Sequence, residues 1–108
     1  MSYYMFQAAF TPEAWAGLIK NPSDVRERNR ALVEALGGKL VGAWFAFGEY
    51  DVILIVEFPD NVSVAAAAVT AIAAGSGAKF KTTPLLSVEE SIAVMKKAGG
   101  LPYTKPGG

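Results

Sequence analysis

The stretch FGEYDVILIVEFPD, from Phe47 to Asp60, decides the fold that this sequence predicts. Its centre, residues 52–56, is an unbroken apolar run, which is typical of a strand with both faces covered. The preceding GEYD has turn chemistry, and the following PDN stops a strand and caps a helix. The stretch therefore predicts a hairpin, a strand and a helix in succession. It leaves open whether GEYD is a binding site or a structural corner.

Turn, cap and apolar patterns predict the remaining elements on either side of that stretch. Strands are predicted at residues 3–10, 39–47, 51–58 and 79–86, and helices at residues 12–19, 22–36, 62–74 and 88–98. Thr11 and Pro12 begin the first helix, which Pro22 breaks. Ser87 and Glu90 form a capping box at the last helix. The resulting order, β, broken α, β, β, α, β and a further α, is that of the ferredoxin-like fold.

The predicted fold class is α+β, with a four-stranded antiparallel sheet and both main helices on one face. We expect one domain over residues 1–98 and a tail at residues 99–108, because 108 residues with 52% hydrophobic content suit one globular domain. The predicted buried stripes are Val25, Leu32, Val33 and Leu36 in one helix, and Val62, Ala65, Val69 and Ile72 in the next. Gly37-Gly38 and Gly75-Ser76-Gly77 end these helices, and Pro84 predicts either an edge position or a late irregularity in the fourth strand.

The third predicted strand is apolar on both faces, although helices of the same chain can cover only one of them. Val52, Leu54, Val56 and Phe58 point to one face, and Ile53 and Ile55 to the other. Strict alternation in the second strand places Leu40 and Trp44 on one face, with Val41, Phe45 and Phe47 on the other. The uncovered face needs a partner. We therefore expect a homo-oligomer that assembles through the sheet.

Composition argues against several classes of function. Acidic and basic residues number ten each, which argues against binding to nucleic acid or to an anionic membrane. The lack of Cys and His excludes thiolate nucleophiles, disulfides, imidazole bases and zinc sites of the Cys/His type. The acidic residues lack calcium-loop spacing, so we expect neither a metal nor a cofactor. The N-terminus has no signal-peptide pattern, and we expect a cytoplasmic protein.

Four short motifs resemble those of the GYD-domain family of small bacterial and archaeal proteins. They are TPE at residues 11–13, GGKL.G at 37–42, GEYDV at 48–52 and EFPD at 57–60. The resemblance covers roughly residues 3–90, and GEYD before an apolar strand is its most telling part. It implies a ferredoxin-like domain of the dimeric α/β-barrel type. It implies no established reaction, so it assigns no catalytic residue.

GEYD has two interpretations: a corner, meaning a structural turn at the end of the hairpin, or a lip, meaning one edge of a ligand-binding cleft. As a corner, it needs Gly48 at positive φ and Glu49 or Asp51 bonding the turn amides. Tyr50 would then anchor the hairpin on the face of Val52. As a lip, it would join polar groups on the uncovered face, as in small-ligand pockets. The candidate ligand-binding residues are Gln7, Trp44, Tyr50, Asp51 and Glu57. The same polar groups could instead fix the register of an oligomer.

Two functions therefore stay open. The first is a homo-oligomeric module that binds a small molecule or regulates a partner, and the lack of His and Cys favours it. The second is a small cofactor-independent enzyme of the dimeric α/β-barrel type, acting on a small hydrophobic or carbonyl compound between sheet and helices. Asn29 is expected to make a satisfied hydrogen bond from helix to loop rather than bind a ligand. The arginines Arg26, Arg28 and Arg30 are expected to form a solvated surface.

Overall fold

In this computed structural model, which describes residues 1–75 and 77–108, strands and helices follow in the predicted order. The strands are β1 (Ser2–Phe10), β2 (Lys39–Phe45), β3 (Val52–Phe58) and β4 (Gly77–Leu85). The helices are α1 (Pro12–Lys20), α2 (Val25–Ala35), α3 (Asn61–Ala73) and α4 (Val88–Ala98). Ser76, at the centre of the predicted glycine turn, lies outside the described residues.

The strands form one antiparallel sheet in the order β2-β3-β1-β4, which confirms the predicted ferredoxin-like fold. β1 is central, and its Gln7 pairs with Ile53 of β3 on one side and with Lys81 of β4 on the other. β4 lies at an edge, as Pro84 predicts, because proline has no amide hydrogen to donate to a further strand.

Capping residues begin α1 and α4 where the sequence predicts, whereas α2 begins at Val25, after the cap Asp24, and not at the predicted residue 22. The Thr11 hydroxyl accepts a hydrogen bond from the Ala14 amide at 3.1 Å, at the start of α1. The chain leaves helical geometry around Pro22, between α1 and α2, so the predicted break is confirmed. At α4, the Glu90 carboxylate accepts from the Ser87 amide at 2.9 Å, and the Ser87 hydroxyl accepts from the Glu90 amide at 3.0 Å. The predicted capping box is therefore confirmed.

Helices α2 and α3 pack on one side of the sheet, which we call the covered face. Its buried residues are Tyr4, Phe6, Val33, Val52, Leu54, Val56, Phe58, Val64 and Ala67. Val56 and Phe58 are completely buried. The ring of Phe58 contacts the rings of Tyr4 and Phe6, at centroid distances of 6.4 Å and 6.3 Å. The predicted stripe of α2 is confirmed, because Val33 is buried and Val25, Leu32 and Leu36 pack against this core.

The opposite side of the sheet, which we call the open face, is apolar at its centre as well. It carries Tyr3, Met5 and Gln7 of β1, Trp44 of β2, Ile53, Ile55 and Glu57 of β3, and Lys81 of β4. Trp44 is 56% exposed, and Ile53 and Ile55 are only partly buried. The two-sided apolar character that the sequence predicts for β3 is thus present, with one side still accessible.

A bulge makes β2 depart from the alternation that its sequence predicts. The pairing with β3 shifts between Leu40 and Gly42, so Val41 is an additional residue in the ladder. Leu40 consequently packs against the core, whereas Trp44 lies opposite Ile53 on the open face. The prediction that Leu40 and Trp44 share a face is therefore wrong, because one inserted residue moves the side chains of the following residues to the opposite face of the sheet.

α3 turns a different side to the sheet from the one predicted. Val64 and Ala67 are buried, whereas Val62, Val69 and Ile72 are 80%, 63% and 56% exposed. The predicted buried stripe of Val62, Ala65, Val69 and Ile72 is wrong. Nearly every position of this helix is apolar, so hydrophobic periodicity does not select a side.

α4 makes few contacts with the sheet or with the other helices, and none of its residues is buried. The radius of gyration is 17.4 Å, whereas a compact domain of this size has one of about 13 Å. Val88, Ile92 and Met95 form an exposed apolar stripe along this helix. Within residues 1–75 and 77–108, no helix has the length and apolar character needed to cross a membrane.

Candidate functional site

The loop of residues 46–51 joins β2 to β3 and forms the corner that contains GEYD. The Ala46 amide donates to the Asp51 carbonyl at 2.7 Å, which closes the loop. The Asp51 amide donates to the Ala8 carbonyl at 2.8 Å, which attaches the loop to β1. GEYD is therefore held by one backbone hydrogen bond that closes the loop and one that attaches it to β1, as a structural corner requires.

Gly48 does not supply the positive φ predicted for this corner. Among the described residues, positive φ occurs at Gly37, Gly75 and Gly107. A Cβ added to Gly48 would meet no atom within 4 Å. The predicted role of Gly48 is wrong because this loop spreads the chain reversal over six residues, whereas a two-residue turn concentrates it in glycine. Gly37, at the end of α2, does adopt the left-handed conformation that its position predicts.

The Asp51 side chain stabilises the corner and does not line the cleft described below. Its Oδ2 accepts a hydrogen bond from the Phe10 amide at 2.8 Å, in a partly buried position. This bond joins the last residue of β1 to the start of β3. Asp51 therefore satisfies a backbone donor that the end of the strand would otherwise leave unpaired.

Tyr50 lies on the open face and not on the face of Val52. It lines a surface cleft together with Gln7 and Ile53, and its side chain is partly buried. The prediction of its face is wrong because Tyr50 belongs to the loop, where strand alternation does not apply. The Lys79 ammonium lies 5.3 Å from the centre of the Tyr50 ring and 3.2 Å from Glu49 Oε1. Tyr50 and Asp51 thus serve different contacts.

The cleft on the open face, which we call the sheet-face cleft, has a volume of about 370 Å³. Its lining residues are Gln7, Ala46, Phe47, Gly48, Glu49, Tyr50, Ile53 and Lys81. The amide of Gln7, the phenol of Tyr50 and the ammonium of Lys81 give it hydrogen-bond donors beside an apolar floor at Ile53. This arrangement suits an acceptor-rich ligand or the polar groups of a partner chain. Of the five candidate residues, the structure places Gln7 and Tyr50 in this cleft.

Trp44 and Glu57 share the open face with this cleft but do not line it. The Trp44 indole folds over Gly42, where an added Cβ would lie 2.6 Å from the ring atom Cη2. Glu57 pairs with Tyr3 across β3 and β1. Its carboxylate accepts a hydrogen bond from the phenol and repels a phenolate, and both effects raise the pKa of Tyr3. Within the described ranges, no three acidic side chains are grouped as a metal site would require.

A second cavity, which we call the helix-side cavity, lies between the covered face and helices α2 and α3. Its volume is about 220 Å³. Its strand residues are Phe6, Ala8, Phe10, Val52, Leu54, Gly77 and Phe80, and its helix residues are Val25, Arg28, Asn29, Leu32, Val33, Ala67, Thr70, Ala71, Ile72 and Ala74. Small side chains at Ala8, Ala67 and Ala71 leave this space unfilled. The alanine run of α3 is the sequence signal that could have indicated this cavity.

The polar groups of the helix-side cavity come from the helices. Asn29 Nδ2 donates to the Val25 carbonyl at 2.9 Å, so Asn29 makes a hydrogen bond within α2 and not the predicted bond from helix to loop. Thr70 donates to the Ala66 carbonyl at 2.7 Å. Arg28 is exposed and lines the cavity, so it does more than form the solvated surface predicted for it.

Comparison with protein families matches residues 4–95 of the chain to the GYD domain. A similar protein of Thermus thermophilus, described as a glutamine synthetase and cystathionine beta-lyase binding protein, is 29% identical over 96 residues. The match covers 89% of this chain and 100% of that relative. The resemblance predicted from the four motifs is therefore confirmed.

A solved structure gives the same fold. The crystal structure of MtbAldR matches with a TM-score of 0.59 at 16% sequence identity. The match covers 80% of this chain and 53% of MtbAldR, so the chain spans about half the length of that protein. At this identity the likeness concerns the fold alone.

Proposed function

Because the chain belongs to the GYD domain family, we propose that it is a homo-oligomeric binding module that assembles through the open face of its sheet. The observation that carries the proposal is the apolar centre of that face, at Trp44, Ile53 and Ile55, which α2 and α3 leave uncovered. Each 100 Å² of apolar surface buried in an interface contributes roughly 2.5 kcal/mol before association costs are subtracted. A second copy placed on this face would also close the sheet-face cleft.

A binding role is favoured over the enzyme that the sequence left open. Acid–base chemistry on a substrate between sheet and helices would use Tyr, Asp, Glu or Lys at that position. Among the described residues, the charged side chain that lines the helix-side cavity is that of Arg28, whose guanidinium has hydrogen-bond donors and no acceptor that could take a proton. Such side chains, Glu49, Tyr50 and Lys81, line the sheet-face cleft instead, which lies on the open face and not between sheet and helices.

Sedimentation velocity of the purified protein tests the assembly. We expect a dimer or a multiple of dimers for the wild type, and a smaller species for Ile55→Lys, which places a charge at the centre of the open face. Ile19→Lys is the matched control, because Ile19 lies on α1 and is already 77% exposed. A wild-type protein that stays monomeric at micromolar concentration, or equal behaviour of the two variants, would contradict the proposal.

We propose, second, that this module binds another protein. The Thermus thermophilus relative is named for binding two enzymes, and the stripe of Val88, Ile92 and Met95 on α4 offers an exposed apolar surface. We expect the chain to bind glutamine synthetase or cystathionine beta-lyase of its own source, measured by biolayer interferometry. Ile92→Glu should weaken that binding, whereas Val62→Glu, on the exposed side of α3, should not. Equal effects of both variants would argue against α4 as the surface that binds the partner.

A further inference from the structure

The helix-side cavity has a closed apolar floor and a polar rim. Phe6, Val33 and Leu54 are buried and form the floor. Arg28 and Thr70 are exposed and form part of the rim. A site with an apolar interior and a few polar groups at its entrance is the usual form of a small-molecule pocket.

The volume of this cavity restricts the size of a ligand. A cavity of about 150 Å³ with apolar walls holds one benzene molecule. The 220 Å³ here therefore accommodates one six-membered ring, or a branched aliphatic group of similar size, with a short chain attached. Dinucleotides are too large for it.

The rim restricts the charge of a ligand. Arg26 pairs with Asp24 and Arg30 pairs with Glu27, whereas Arg28 has no ion-pair partner among the described residues. The guanidinium of Arg28 is thus the available cation at the entrance, and its forked donors match a carboxylate. The Asn29 amide donates one of its two N–H groups to the helix, so its second N–H and its carbonyl oxygen remain for a ligand at the cavity.

We infer that the helix-side cavity binds a small amphiphilic carboxylate, with the ring or branched group between sheet and helices and the carboxylate at Arg28. This inference names a ligand class for the proposed binding function and rests on that function. The two are tested separately, because oligomer size reports on the open face and ligand affinity reports on the helix-side cavity. Loss of assembly with retained ligand binding would reject only the assembly, and the reverse result would reject only the ligand site.

Isothermal titration calorimetry with 3-phenylpropionate and its neutral analogue 3-phenylpropanamide provides the test. We expect the carboxylate to bind the wild type about three- to fivefold more tightly than the amide, which is the scale of one solvent-exposed ion pair. Arg28→Gln should remove this difference by weakening the carboxylate alone. Arg30→Gln is the matched control on the same helix and should retain the difference.

A filling variant tests the apolar part of the site. Ala71→Leu should abolish binding of both probes, because the added side chain occupies the space of the ring. Should this variant fail to fold, amide chemical-shift mapping on the wild type decides, with shifts expected around Ala67 and Ala71. The inference is overturned if neither probe binds at millimolar concentration, if Arg28→Gln and Arg30→Gln behave alike, or if the shifts map to the open face. It is also overturned if binding requires removal of residues 99–108, since the natural occupant would then be the tail.

Discussion

The covered face and the open face belong to the same four strands, yet only one of them is buried within the chain. On β3, Val56 and Phe58 are completely buried, whereas Ile55 between them is partly exposed. Both faces are apolar, so the strand sequence does not determine which side is covered. The difference lies in the helices, because α2 and α3 place Val33 and Val64 against one face only. We conclude that the covered face stabilises the folded chain and that the open face is available for assembly.

The largest expected contrast between the faces concerns phenylalanine. Phe58→Ala should lower the free energy of unfolding by about 3–5 kcal/mol, because it empties a completely buried aromatic site. Phe47→Ala, beside the sheet-face cleft, should change it by no more than about 0.5 kcal/mol, since Phe47 is 93% exposed. Urea denaturation of the two variants measures both values. Comparable losses would mean that the open face also contributes to the stability of the single chain.

The next contrast is at the corner where the two faces meet. Asp51→Ala should cost about 1–3 kcal/mol, because the Phe10 amide loses its acceptor. Glu49→Ala should cost less than about 1 kcal/mol, since its contact with Lys79 is an exposed ion pair. Thermal and urea unfolding distinguish these values. A larger effect of Glu49 would show that the loop is held from the open face.

Adjacent tyrosines on β1 give a smaller and closely matched contrast. The Tyr4 phenol, on the covered face, donates to Asn61 Oδ1 at 2.8 Å and joins β1 to the start of α3. Tyr4→Phe should therefore cost about 0.5–1.5 kcal/mol. Tyr3→Phe, on the open face, should cost less than Tyr4→Phe, because Tyr3 is exposed and water screens its contact with Glu57. Equal losses in urea denaturation would contradict this assignment of the two side chains.

The smallest expected effect is a shift in titration on the open face. Glu57 raises the pKa of Tyr3, so Glu57→Gln should lower that pKa toward the ordinary value for tyrosine. The raised pKa favours the neutral phenol in the folded chain. Its contribution to stability is present below the ordinary pKa and is lost as the pH rises through the raised one. Phenolate absorbance, with Tyr3→Phe to identify the signal, measures the shift, and an unchanged titration would remove Glu57 as its cause.

Local signals were sufficient to predict most of the fold. Thr11, Pro22 and the Ser87–Glu90 box act through neighbours within one helical turn, so their effects are readable from a few residues. The bulge at Val41 was not predictable in this way, because a bulge is a property of pairing with another strand. The side of α3 that packs was missed since its apolar residues are distributed all around the helix.

The candidate sites were predictable in part. The alternation of side chains along regular strands correctly places Gln7 and Glu57 on the open face, where Lys81 also lies. The same alternation does not predict the positions of the Tyr50 and Asp51 side chains, because both residues belong to a loop, where side chains do not alternate between faces. The Asp51 side chain instead accepts a hydrogen bond from a backbone amide. The helix-side cavity depends on the distance between helices and sheet, which no single segment encodes.

The bulge in β2 also bears on how copies of the chain avoid uncontrolled growth. β2 and β4 are the edges of the sheet, and a flat, regular edge invites a further strand from a neighbouring molecule. The bulge at Val41 bends the edge formed by β2. At the other edge, Pro84 of β4 has no amide hydrogen to donate to a further strand. Deleting Val41 would leave Leu40, Gly42, Ala43 and Trp44 in regular alternation, on the faces they already occupy. Deletion would thus give this side of the sheet a straight edge, so this one residue opposes open-ended growth through strand edges.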